Sequence, residues 1–155
     1  LYIARRLVRM ASEDIGLANP NALLLANNSF EAVSKIGMPE ARIILSQTTI
    51  YLATSPKSNA AYMAINRAMK YVREHPDYPV PLHLRNAPTK LMKDSGYGAG
   101  YKYSHDFQGR EGNQEYLPEE VSGTEFYFPK SIGREKEIRR FMVEQWDGKY
   151  RVDKS

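Results

Sequence analysis

Ala41-Arg-Ile-Ile-Leu-Ser-Gln-Thr-Thr-Ile-Tyr-Leu-Ala-Thr54 holds apolar groups on nearly every face of the helix that its spacing predicts. Ile43, Ile44, Leu45, Ile50, Tyr51, Leu52 and Ala53 supply them, and Pro39 just upstream opens the element. A helix that is apolar all round is covered either by its own fold or by a neighbouring subunit. The stretch therefore argues for a helical domain with surplus apolar surface. Ile43, Ile44, Ile50, Tyr51 and Leu52 are the candidate subunit-interface residues.

The same helical texture extends on both sides. Upstream, Ile3, Leu7, Met10, Ala11 and Ile15 recur at helical spacing with Arg5, Arg6 and Arg9 elsewhere, and Gly16 stops the run. Asn19 then reads as a cap and Pro20 as the first-turn proline of a second helix ending near Gly37. Downstream, Pro56 interrupts and Ser58 caps a fourth helix through Met63, Ile65 and Met69 to about His75, where Pro76 ends it. Four prolines between Pro76 and Pro88 keep the next segment extended. A short helix from Pro88 to Ser95 follows, closed by Gly96, and then a Gly/Tyr-rich loop to Asp106. Tyr116 to Pro129 alternates weakly and reads as a small hairpin turning at Ser122 and Gly123. The last helix, about Gly133 to Trp146, sets Ile138, Phe141, Met142 and Gln145 on one face and charges on the other.

Bulk properties narrow the class. A chain of 155 residues, 42% of them hydrophobic, can bury one core, so residues 1–155 read as a single domain. The chain has no cysteine, which excludes disulfides and Cys-based metal sites and suits a reducing cytosol. It contains neither an apolar run of membrane-spanning length nor a signal-peptide pattern. The first residue is Leu1, already inside helical periodicity with no cap ahead of it, which is the expectation for an excised fragment. The net charge of +4 is modest for a nucleic-acid binder. Its distribution matters more: Arg85, Lys90, Lys93, Lys102 and Arg110 face few acids, whereas Glu111, Glu115, Glu119, Glu120 and Glu125 follow without a base among them. This arrangement fits either a charge match within or between chains, or a phosphate-facing patch.

Each candidate motif also has a structural explanation. Gly96-Tyr-Gly-Ala-Gly-Tyr-Lys-Tyr-Ser104 superficially resembles a phosphate loop, but Tyr101 precedes Lys102 where glycine is required and Ser104 stands one place late. Tyr97, Tyr101 and Tyr103, interleaved with Lys102 and bracketed by Arg85, Lys90, Lys93 and His105, could stack bases while the cations hold phosphates. Tyrosines beside glycines also commonly pack against a helix and send the hydroxyl to a carbonyl or to water. His75, His83, His105 and Asp106 show neither i, i+4 histidines nor a carboxylate cluster, and no Gly-x-Ser-x-Gly elbow is present. Structural histidines are expected, with a hydrolase built on His105 and Asp106 ranked last. Lys57, Asn59, Arg67, Arg85 and Asn86 lie where they can cap neighbouring helices. Neither a catalytic nor a metal site is expected in this chain.

Several runs, in order and at matching spacing, resemble the C-terminal region of the RarA/MgsA family of AAA+ ATPases. They are Ala4-Arg-Arg-Leu-Val-Arg-Met-Ala-Ser-Glu-Asp-Ile-Gly16, Gly37-Met-Pro-Glu-Ala-Arg42, Pro56-Lys-Ser-Asn-Ala-Ala-Tyr62, Pro81-Leu-His-Leu-Arg-Asn-Ala-Pro-Thr-Lys-Leu-Met-Lys93, Gly96-Tyr-Gly with Gly100-Tyr-Lys-Tyr103, and Tyr116-Leu-Pro-Glu-Glu120. The resemblance covers residues 1 to about 140. It implies a mainly α, helical-bundle domain like the clamp-loader C-terminal collars, one that assembles its parent into tetramers. It further implies an upstream AAA+ module, outside this chain, that binds ATP and Mg as a DNA-dependent ATPase. A bacterial cytoplasmic setting at stalled replication forks and a single-strand-binding-protein partner belong to the same implication. Ser95 and Ala99 stand where relatives more often carry a bulkier apolar residue and a lysine. Losing a cation at position 99 weakens phosphate binding by this loop. The expected function is thus non-catalytic oligomerisation, with a DNA-binding module using the Tyr/Lys loop as the alternative.

Overall fold

The computed structural model describes residues 1–102 and 114–146, and these are mainly helical. The elements are α1 (Tyr2–Met10), a widened π turn (Ala11–Ile15), a 3-10 turn (Gly16–Ala18), α2 (Asn21–Ile36), α3 (Ala41–Thr54) and α4 (Ala60–Glu74). After them come a 3-10 turn (Leu82–Leu84), α5 (Lys90–Asp94), a further 3-10 turn (Glu119–Val121) and α6 (Glu135–Gln145). No strand occurs among the described residues. The chain divides into two compact units, Leu1–Lys70 with Phe126–Phe141, and Tyr71–Glu125 with Met142–Ser155.

In the first unit α1, α2 and α3 pack on one another. Each buries a stripe at helical spacing: Ala4 and Leu7, continued by Ala11 and Ile15 of the π turn; Ala22, Ala26, Ser29 and Val33; Ala41, Thr48 and Leu52. The seam is rich in alanine, and small side chains let helix axes approach closely. Where α2 meets α3, the buried Ser29 and Thr48 hydroxyls hydrogen-bond to each other, and Thr48 also donates to the Ile44 carbonyl at 2.9 Å. These contacts satisfy polar groups that would be costly if left unpaired.

Asn19 departs from the expected cap. The α2 amides receive no side-chain cap; Asn19 Nδ2 instead donates to Tyr51 Oη at 3.1 Å and Ser55 Oγ at 3.0 Å, tying the start of α2 to the end of α3. Ser58 does cap α4, since its Oγ accepts the Ala60 N–H at 3.2 Å. The same hydroxyl donates to Glu135 Oε2 at 2.7 Å. Glu135, the first residue of α6, is fully buried. Its carboxylate also accepts the Lys130 N–H at 2.8 Å and the Tyr127 hydroxyl at 3.1 Å. One side chain thus fastens the 127–135 segment to the start of α4.

Two glycines make this docking possible. Gly16 adopts φ +51° and a Cβ there would lie 2.7 Å from the Ser58 carbonyl oxygen; Gly133 adopts φ +52° against the Ala18 carbonyl. Main-chain bonds run alongside, from Ser58 N–H to Ile15 O at 3.3 Å and from Arg134 N–H to Ala18 O at 2.9 Å.

The second unit is built mostly from turns. Thr89, not Pro88, starts α5, because its side chain caps the Met92 N–H. The hairpin expected over Tyr116–Pro129 is absent. Ser122 (φ −56°, ψ 136°) and Gly123 (φ +76°) do form a turn, closed by Thr124 N–H on Val121 O at 3.1 Å, but these angles are of type II. That turn splays flanking strands rather than pairing them, and the Glu119–Val121 3-10 turn occupies one of the would-be strands.

Candidate functional site

The candidate nucleic-acid residues fall in the second unit. Arg85 Nε donates to the Val80 carbonyl at 2.6 Å and Nη1 to Tyr97 Oη at 3.2 Å, with the guanidinium carbon 5.1 Å from the Tyr97 ring centre. The Gly98 N–H reaches Leu82 O at 2.8 Å. Together these contacts fold the glycine loop back on the 80–85 segment, so Arg85 and Tyr97 hold the loop rather than face outward. The loop's amides are largely spent internally: Gly96, Tyr97, Gly98, Ala99 and Tyr101 each donate to a carbonyl of residues 82–98. A phosphate-cradling loop needs such N–H groups free. Among the described loop residues, 96–102, most of that supply is already used.

Lys90, Lys93, Tyr101 and Lys102 are exposed. Tyr103, His105, Asp106 and Arg110 lie outside the described residues. His83 donates a ring N–H to the Glu115 carbonyl at 2.7 Å, and His75 donates to Tyr71 O at 2.8 Å while stacking on the Tyr71 ring at 3.7 Å. Both have structural roles. Among the described residues no group of three or more His, Asp or Glu side chains is placed to hold a metal ion. None of the described helices is long and apolar enough to cross a membrane.

The polar residues expected to cap have varied partners. Lys57 Nζ reaches the Ala53 carbonyl at 3.3 Å, at the end of α3. Asn59 accepts Lys130 Nζ at 2.8 Å. Arg67 donates to the Phe126 carbonyl at 3.1 Å, with its guanidinium 4.8 Å from the centre of the Phe128 ring. On α1, Arg9 Nε donates to Glu13 at 2.7 Å, a bond that holds the Glu13 carboxyl below its usual range.

The candidate interface residues divide by helix face. Leu52 is sealed in the core of the protomer and presents nothing to a partner. Tyr51 is half-buried with its hydroxyl on Asn19, and Ile44, two turns earlier, is half-buried as well. Ile43 and Ile50, one face apart from these, are 64% and 62% exposed. The helix thus buries a single stripe and leaves Ile43 and Ile50 outward, with the polar Ser46 and Gln47 between them.

A family profile described as "MgsA AAA+ ATPase C terminal" matches residues 1–146. The chain belongs to the MgsA AAA+ ATPase C-terminal family. Similar proteins include Replication-associated recombination protein A of Escherichia coli K12, 45% identical over 139 residues, which are 89% of this chain and 31% of that protein. The Bacillus subtilis protein of the same name is 41% identical over 132 residues, 85% of this chain and 31% of that protein. ATPase WRNIP1 of Dictyostelium discoideum is 49% identical over 128 residues, 82% of this chain and 15% of that protein. The chain therefore spans about a third or less of the length of these relatives.

Membership in the MgsA C-terminal family agrees with the mainly helical architecture. The residue of this MgsA C-terminal domain that sequence reasoning missed is Glu135, which reads as one more charge on the polar face of the last helix. Its donors Ser58, Tyr127 and Lys130 are scattered along the chain, and Ser58 is 77 residues away, so no local pattern announces them. The one available signal is Ser58 itself, a capping hydroxyl with a second hydrogen bond to place.

Proposed function

We propose that residues 1–155 act as one oligomerisation domain of a AAA+ ATPase working in DNA replication, recombination and repair at stalled forks, and that copies assemble as tetramers. The observation that carries this reading is the outward apolar surface of the first unit, with Ile43 and Ile50 on α3 largely exposed. Large exposed apolar patches mark association surfaces. The names of the relatives support replication-associated recombination as the process. Binding of ATP with Mg, and ATP hydrolysis, belong to a AAA+ module outside these residues, and DNA and a single-strand-binding protein are partners of the parent, in a bacterial cytoplasm. A tetramer with two-fold symmetry buries two different self-complementary faces per chain. Light scattering tests the reading: the mass is expected at four times the 17.7 kDa chain. A mass that stays at one chain through the concentration series overturns it.

A second reading, contact with single-stranded or forked DNA, is favoured by the exposure of Lys90, Lys93, Tyr101 and Lys102. Three lysines on phosphates give log affinity against log salt a slope of about −2 on a single strand, and Lys93→Ala makes it shallower by about 0.7. Binding that ignores salt rejects this reading.

A further inference from the structure

The net charge of +4 conceals a segregation. The first unit, Leu1–Lys70 with Phe126–Phe141, carries thirteen lysines and arginines against six acids, out of 22 and 18 in the whole chain. The remainder is therefore net negative, although it contains the Tyr/Lys loop. Part of the excess on the first unit lies where the 130–133 segment packs on the 56–59 segment and runs into α6. Pro56 Cγ lies 3.0 Å from the place that a Cβ on Gly133 would take, and Lys130 Nζ donates to Asn59 Oδ1 at 2.8 Å, so Lys57 and Lys130 share that junction. Lys136 and Arg140 extend it along α6. Four residues apart, they lie one above the other on the exposed side of the helix, while Glu135 and Ile138 turn inward.

The acids of this segment do not cancel these charges. Glu135 is buried and spent on three hydrogen bonds, and Glu137 is paired with Arg134. Lys57 and Lys130 bond to neutral acceptors, the Ala53 carbonyl and the Asn59 amide oxygen. Among the described residues, none of Lys57, Lys130, Lys136 and Arg140 is ion-paired. The backbone beneath them is fixed by the Lys130 N–H on Glu135 and the Arg134 N–H on the Ala18 carbonyl. Four like charges held on one support repel one another, and a polyanion relieves that repulsion. A protein partner is the poorer fit, because lysine is depleted at protein interfaces, whereas Lys and Arg gathered on one face are the electrostatic footprint of nucleic-acid binding.

We infer that Lys57, Lys130, Lys136 and Arg140 form a phosphate-binding surface for a nucleic-acid backbone. The surface uses no residue of the Tyr/Lys loop, lies wholly within the first unit and reads charge rather than sequence. Its test is the anisotropy of a fluorescent single-stranded oligonucleotide bound by the full chain, over about 50–300 mM salt. Four phosphate contacts give log affinity against log salt a slope of about −3. Lys136→Ala with Arg140→Ala is expected to make that slope shallower by about 1.4 and to weaken low-salt binding at least about tenfold, with an unchanged circular dichroism spectrum. Lys57→Ala, on the other side of the junction, is expected to take away about 0.7 by itself. Lys90→Ala with Lys93→Ala is expected to leave the slope as it is. The reverse result, in which only the loop pair changes the slope, overturns the inference and leaves the loop reading standing. Absence of binding by the wild-type chain ends both. Polyglutamate that displaces the oligonucleotide as well as unlabelled DNA of equal charge overturns the assignment to nucleic acid.

Discussion

Glu135 accepts three hydrogen bonds where no water reaches it, and its loss is felt at each donor. Glu135→Ala leaves the Ser58 hydroxyl, the Tyr127 hydroxyl and the Lys130 N–H without their acceptor, and a destabilisation of at least about 3 kcal/mol is expected in urea unfolding. Glu135→Gln costs less, about 1–3 kcal/mol, because an amide keeps one acceptor oxygen and turns the other into a donor facing donors. Tyr127 adds a pH signature. Burial first, and then the neighbouring Glu135 carboxylate, push its hydroxyl well above the usual phenol range. The folded state therefore holds the phenol proton more tightly than the unfolded chain. The stability this gives is complete below about pH 10, where the unfolded phenol titrates, and is lost as pH rises towards the folded value. In urea melts from pH 8 to 12, Tyr127→Phe is expected to flatten part of the alkaline decline. An identical decline in both proteins refutes the assignment.

At the scale of elements, the places where glycine is required are those where chain segments touch. Gly16→Ala or Gly133→Ala forces a side chain into a positive-φ position against a carbonyl oxygen, and each should cost at least about 1–3 kcal/mol from the backbone alone. Thr89→Ala removes the cap of α5 and should cost about 1 kcal/mol, read as faster amide exchange at Met92 with little change across α2 and α3. Much of this element layer was legible beforehand. Ala41–Thr54 matches the predicted third helix, and Ser58 caps α4 as read, because proline, glycine and hydroxyl residues act on neighbours within a turn. What stayed hidden depends on partners far along the chain. Asn19 is drawn from its expected cap by Tyr51 and Ser55, and the hairpin reading failed because Ser122-Gly123 takes a type II turn. For the candidate site, exposure of Lys90, Lys93 and Lys102 followed from charge alone. The inward pairing of Arg85 with Tyr97 did not, since it is set by the fold of the loop.

For the molecule as a whole, the apolar residues of α3 that sequence patterning placed together serve different ends: Leu52 closes the core while Ile43 and Ile50 remain outward. Periodicity says which residues are apolar but not how many neighbours a helix will find. Self-association should accordingly strengthen on warming from about 5 °C to room temperature, as contacts driven by water release do, and light scattering across that range checks it. The alanines lining the first unit, Ala4, Ala11, Ala22 and Ala26 among them, have a different kind of consequence. An interior of leucines can trade one bulky residue for another, whereas a close-fitting seam has no room for added methyl groups. Ala26→Leu should destabilise by about 1–3 kcal/mol through overpacking. An engineer seeking heat tolerance would leave that seam untouched and work instead on the turns of the other unit.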